Sequence, residues 1–150
     1  MQAYKNDPAF KEELLREMKS HYDEDRIIRN SYGFGLDDKD YKGCAIGCAI
    51  HSLAMLRERV MFDPSDHKLL ATELNIPVSL CHLIDLLFES LPSQQARQFP
   101  GRVLAAIRPG ADLSPVAFSI QGVSSALPAM LNQQSAIEAS ENLITLLESM

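Results

Sequence analysis

Residues 43–60 open with an almost uninterrupted apolar run, Gly-Cys-Ala-Ile-Gly-Cys-Ala-Ile-His-Ser-Leu-Ala-Met-Leu. Before Leu56, only His51 and Ser52 interrupt it. A helix that is apolar on every side is stable only when other elements surround it. The run therefore predicts a central, buried helix over about 43–60, and the rest of the chain must pack around it.

The remaining segments also favour helices. Apolar residues recur at helical spacing between breaks rich in Pro, Gly, Asn and Asp. The further helices are predicted at about 8–30, 65–73, 78–91, 93–107, 114–131 and 135–148. Only residues 116–123 resemble a strand, and they have no partner. With 150 residues, of which 46% are hydrophobic, the chain is large enough for its own core. We expect a single all-α domain over residues 1–150, a compact bundle of about six or seven helices.

Charge and composition exclude several classes of function. The net charge is −6, and the positive side chains are scattered among acids. This argues against nucleic acid and anionic membranes as partners, since both recruit clustered Lys and Arg. No signal peptide and no membrane-spanning apolar run is apparent. Three cysteines suit a reducing compartment better than a disulfide framework, so a cytoplasmic location is expected.

Five polar residues are candidates for a metal site. In a helix Cys44, Cys48 and His51 fall at i, i+4 and i+7, on one face. The first predicted helix carries His21 and Asp25, at i and i+4, on its apolar stripe. Thiolate, imidazole and carboxylate ligands together favour zinc, or iron with fewer thiolates. The interpretation favoured is a small cytosolic metal-binding protein, with the metal structural or catalytic.

The same residues permit other interpretations. Cysteine often packs as a small hydrophobe, so the cluster can be a buried hydrogen-bond network. A helix beginning at Cys44 can stabilise a thiolate, which predicts a thiol-dependent enzyme or redox sensor. A third alternative is an interaction module without an active site. It would form a homo-oligomer or bind a protein partner through the C-terminal helix, whose apolar stripe comprises Ala136, Ile137, Leu143, Ile144 and Leu147.

A second polar group lies on the helix predicted at 78–91. His82, Asp85 and Glu89 face away from its apolar stripe, so a solvated surface is expected. The third cysteine, Cys81, is interpreted as part of the core.

The ordered pattern His-x3-Asp, then Lys-Gly-Cys-x3-Cys-x2-His-Ser, occurs at residues 21–25 and 42–52. In this pattern the chain resembles a family of small uncharacterised bacterial and phage-associated proteins. The likeness extends over roughly residues 20–115. It implies that His21, Asp25, Cys44, Cys48 and His51 belong to the family's own pattern, and it supplies no activity.

Overall fold

The computed structural model describes residues 1–34, 40–57, 63–126 and 132–150, with only the backbone described for 121–126. The described part of the chain contains one 3-10 turn, Ala3–Asn6, and seven α-helices. These are α1 (Pro8–Asp23), α2 (Ala45–Leu56), α3 (His67–Leu74), α4 (Val78–Ser90), α5 (Ser93–Ala106), α6 (Ser114–Ala126) and α7 (Gln133–Glu148). In these ranges strand pairing is limited to two isolated bridges, Ile27 with Gly43 and Phe34 with Lys42. The prediction of an all-α domain is confirmed.

The helix α2 occupies the centre of the fold, as its composition predicts. Every residue from Ala45 to Ala54 is buried. The helices α1, α3, α4 and α5 all pack against it. It is shorter than the predicted 43–60, and residues 58–62 lie outside the described ranges. None of the helices described here combines the length and apolar character that crossing a bilayer requires.

A glycine on α2 lets another part of the backbone come close. A Cβ atom added at Gly47 would lie 1.5 Å from the carbonyl oxygen of Tyr32. No side chain fits there without moving the backbone around Tyr32. The hydroxyl of Tyr41 also donates to that carbonyl oxygen, at 2.8 Å. The segment around Tyr32 is therefore pressed onto the first turn of α2.

The first helix is shorter than predicted, because it ends at Asp23 rather than near residue 30. Asp25 adopts a left-handed conformation with φ of 56°. The amide of Arg26 donates to the carbonyl of His21 at 2.9 Å, and that of Asp25 donates to Tyr22 at 3.2 Å. These bonds form a Schellman motif, in which a left-handed residue terminates the helix. The apolar stripe therefore does not continue through Asp25.

The C-terminal helix α7 packs within the chain, on α5 and α4. Of its apolar stripe, Ala136, Leu143, Ile144 and Leu147 are buried, and Ile137 is half-buried against the core. Association through α7 would therefore have to use its other face. The helix begins with a reciprocal pair of hydrogen bonds between Asn132 and Ser135.

Candidate metal centre

Two of the predicted ligands, His21 and His51, meet in the core between α1 and α2. Nε2 of His21 lies 2.8 Å from Nδ1 of His51, and both side chains are buried. The other ring nitrogen of His21, Nδ1, lies 2.7 Å from the carbonyl oxygen of Glu17. The ring of Tyr41 stacks on that of His51, with the centroids 4.2 Å apart. Each imidazole is thus enclosed by neighbouring side chains.

The hydrogen bonds assign the protons in this pair. A carbonyl only accepts, so Nδ1 of His21 donates to Glu17 and Nε2 accepts from Nδ1–H of His51. Burial lowers the pKa of His21 to about 4, although the bond to Glu17 opposes the shift. A proton added to Nε2 would face the donor on His51. His21 and His51 are thus joined by a buried hydrogen bond, the kind of contact that the alternative of a buried network predicts.

Cys48 also belongs to the core. Its thiol donates to the carbonyl oxygen of Gly43 at 3.2 Å. Burial, together with the neighbouring Cys44, raises the pKa of the Cys48 thiol to about 12. Cys81 is buried as well, and burial raises its pKa to about 12. Burial therefore disfavours the thiolate form of both side chains, and the burial of Cys81 agrees with its interpretation as part of the core.

Asp25 does not face the histidines. Its side chain is 76% exposed and forms an ion pair with Arg97 of α5. The left-handed turn after α1 rotates this residue to the surface, so its predicted position on the buried stripe was wrong. His21, Asp25, Cys48 and His51 therefore do not form one ligand set.

Cys44 lies at the first turn of α2, as predicted, but it faces a different group of residues. It is the N-cap, and its sulfur accepts from the amide of Gly47 at 3.5 Å. The residue is almost completely buried, yet it lines a cavity of about 450 Å³. The cavity lies between α4 and the segment that precedes α2. Its lining comprises Asn30, Ser31, Tyr32, Cys44, His82, Asp85, Leu86 and Glu89.

Two carboxylates of α4 approach Cys44 in this cavity. Asp85 and Glu89 are four residues apart and share one helix face. One ligand atom from each of Cys44, Asp85 and Glu89 can be chosen so that all three lie within 4.8 Å of one another. Thiolate and carboxylate groups so close together are able to hold a metal ion. We name this group the Cys44–Asp85–Glu89 cluster.

Neighbouring groups orient both carboxylates from outside the cluster. Oδ2 of Asp85 accepts from the hydroxyl of Tyr32 at 3.0 Å and from Nε2 of His67 at 2.9 Å. Oε2 of Glu89 accepts from the amide of Asn30 at 3.0 Å. Within the described part of the chain, these bonds use one oxygen of each carboxylate, and the second oxygen can face an ion. Outer hydrogen bonds of this kind orient the ligands in metal sites.

The side chain of His67 lies behind Asp85. Its Nε2 faces Asp85, and its Nδ1 lies 2.9 Å from the carbonyl of Ser65. Both nitrogens thus face acceptors, so the imidazolium form satisfies both. The hydrogen bond to Asp85 raises the pKa of His67. His82 stacks on it at 4.2 Å, and burial, together with the charge of His67, lowers the pKa of His82.

The cluster brings acidic groups together, and each makes it harder for its neighbours to carry a negative charge. Burial, opposed by the amides at the start of α2 and reinforced by Asp85 and Glu89, raises the pKa of the Cys44 thiol to about 11. Burial likewise raises the pKa of Glu89, to which Asp85 contributes. Burial and Asp85 raise the pKa of Tyr32 to about 12. A cation bound among these groups would stabilise their negatively charged forms and so lower their pKa values.

The cluster differs from the ligand set predicted from sequence in all members but Cys44. The expectation that Asp85 is solvated was wrong, because its side chain is only 17% exposed. The segment at 30–34 covers this face of α4, and His67 closes it from α3. The spacing of His82, Asp85 and Glu89 was the available signal, but it does not show which face a loop covers.

Comparison of the chain with family models, with curated proteins and with solved structures finds no match.

Proposed function

We propose that this protein binds a divalent metal ion through Cys44, Asp85 and Glu89. Zinc is the first candidate. The observation that carries the proposal is the approach of their ligand atoms to within 4.8 Å of one another. The ligand atoms around a tetrahedral zinc ion lie roughly 3.5 Å apart, so a separation of 4.8 Å has to close by about 1.3 Å at most. Small side-chain rotations are enough for this.

The donor types favour zinc or iron over magnesium and calcium. A thiolate is a soft ligand, which Mg²⁺ and Ca²⁺ bind poorly. Three protein ligands leave one position of a tetrahedral ion for water or a substrate. In this cluster that position would face the cavity of about 450 Å³. A water molecule bound to zinc there would be acidified, as hydrolysis requires.

The alternative of a thiol-dependent enzyme is less well supported. The nucleophile must be the thiolate, and burial together with two carboxylates raises the pKa of Cys44 to about 11. Within the segment Lys-Gly-Cys, we therefore assign Cys44 to metal binding. Cys48 and His51 stabilise the core beside it.

Elemental analysis by plasma mass spectrometry tests the proposal on the purified, tag-free protein. We expect one zinc or iron ion per chain, lost in Cys44→Ala and in Asp85→Asn. Cys81→Ala is the matched control, because it removes a buried thiol outside the cavity, and it should keep the metal. Circular dichroism verifies that each variant is folded.

Two results would contradict the proposal. One is a wild-type protein that holds no metal after anaerobic purification and added zinc. The other is a folded Cys44→Ala protein that keeps its full metal content. Loss of metal in Cys48→Ala, with retention in Cys44→Ala, would instead point to a metal site at Cys48.

A further inference from the structure

A groove of about 440 Å³ runs between α1 and α5, formed by residues that the metal proposal does not use. The lining residues follow helical spacing on both sides. Those from α1 are Leu15, Met18, Lys19 and Tyr22, and those from α5 are Arg97, Gln98, Gly101, Arg102 and Ala105, with Ile27 completing the groove. Its size is within the range of small-molecule sites.

The floor of the groove is apolar, and a glycine keeps one wall open. Met18 and Ile27 are buried, and Leu15 is half-buried. A Cβ atom added at Gly101 would meet no atom within 4 Å. Glycine inside a helix costs about 0.5–1 kcal/mol relative to alanine. Since no neighbour in the described chain requires this glycine, its effect is to leave room in the groove.

Among the described residues that line the groove, every charged side chain is positive. Lys19, Arg97 and Arg102 contribute to the lining, and no Asp or Glu is among the described residues that line it. This is unexpected in a chain with a net charge of −6. The guanidinium carbon of Arg97 lies 5.4 Å from the ring centre of Tyr22, a cation–π contact beside the groove.

These cations have partners within the chain, but the ion pairs are exposed. Lys19 pairs with Asp23, Arg97 with Asp25, and Arg102 with Glu141 through both guanidinium nitrogens. The side chains in these pairs are at least 44% exposed. Exposed ion pairs with a single contact, such as those of Lys19 and Arg97, contribute about 0–1 kcal/mol each. An anionic ligand can therefore displace Asp25 from Arg97 at little cost, and the pair with Glu141 uses only two of the five guanidinium N–H donors of Arg102.

We propose that this groove binds an amphiphile with a carboxylate head, such as a medium-chain fatty acid anion. The alkyl chain would lie along Leu15, Met18 and Ile27 beside Gly101. The carboxylate would accept from the guanidinium groups of Arg97 and Arg102, the geometry that arginine forms best with carboxylates. The proposal is independent of the metal site.

Isothermal titration calorimetry with sodium decanoate, kept below its micelle concentration, tests the proposal. Decyltrimethylammonium is the matched ligand, with the same chain and the opposite charge. We expect decanoate to bind at least about tenfold more tightly, since only its head group pairs with the arginines. Chelator-treated Cys44→Ala protein should bind decanoate equally well, which separates this result from the metal proposal.

Variants identify the site. Gly101→Leu should abolish decanoate binding by filling the groove, whereas Gly101→Ala should retain most of it. Arg97→Gln combined with Arg102→Gln should weaken binding about tenfold, and Arg16→Gln, on α1 outside the lining, should not. Equal binding of the two amphiphiles, or unchanged binding in Gly101→Leu, would overturn the proposal. Binding of an acidic amphipathic peptide without binding of decanoate would overturn it in favour of a protein partner.

Discussion

Acid should lower the free energy of unfolding of this protein through one buried histidine, His21, before the carboxylates titrate fully. The pKa of His21 is about 4 in the folded protein, mainly because the side chain is buried, against 6.5 in the unfolded chain. Between these pH values the unfolded chain binds the extra proton, so the free energy of unfolding falls as the pH falls. The difference corresponds to about 3 kcal/mol, lost between pH 6.5 and 4.

Urea denaturation at several pH values between 7 and 4, followed by circular dichroism, measures this effect. His21→Gln is the test variant, since glutamine offers a donor and an acceptor and takes up no proton. We expect a less stable protein at pH 7 whose free energy of unfolding depends less on pH. Between pH 7 and 4 the wild type should lose about 3 kcal/mol more than the variant.

His67 and His82 provide the internal comparison. The pKa of His67 is raised by Asp85, so its contribution is complete below pH 6.5 and is lost as the pH rises through the folded value. The pH range in which His67 changes the stability therefore lies above that of His21. Replacing the exposed His82 by glutamine should change the pH dependence of the free energy of unfolding much less. Parallel pH profiles for the wild type and His21→Gln would refute the lowered pKa of His21.

Two further tests concern the backbone and a helix cap, both read as the free energy of unfolding in urea. Gly47→Ala should lower the free energy of unfolding by about 3 kcal/mol, because the new Cβ atom meets the carbonyl of Tyr32. The control Gly101→Ala should raise it by about 0.5–1 kcal/mol. Equal effects of the two substitutions would contradict the close approach at Gly47. Asn132→Ala should cost about 1 kcal/mol through loss of the capping bonds of α7, and an unchanged midpoint would show that the cap is not needed.

Local signals predicted most of the helices. Asp7 caps α1 and Pro8 stands at its first position, residue types that are common at helix starts. The all-apolar segment identified α2 as central because burial on every side follows from composition. The end of α1 was missed, since Asp25 occupies a left-handed position that glycine usually takes. No pattern of spacing in α1 reveals that choice.

The candidate site was predictable only in part. Cys44 was found because it lies at a helix start within an unusual segment. The partners Asp85 and Glu89 were visible as one face of a helix, yet a solvated face and a face covered by a loop have the same spacing. The contacts of Tyr32 and His67 with Asp85 join residues 53 and 18 positions apart. Such contacts depend on tertiary structure, which periodicity does not encode.

The positions of Cys44 and Asp85 give the proposed ion a topological role. An ion that links them would close a loop of about 40 residues in the folded chain and would stabilise that state by mass action. Unlike a disulfide, this cross-link can be withdrawn by chelation with every covalent bond intact. Amide hydrogen exchange at the start of α2 should then accelerate, while the amides of α5 and α7 stay protected from exchange. The concentration of free metal would thereby govern the lifetime of the folded centre.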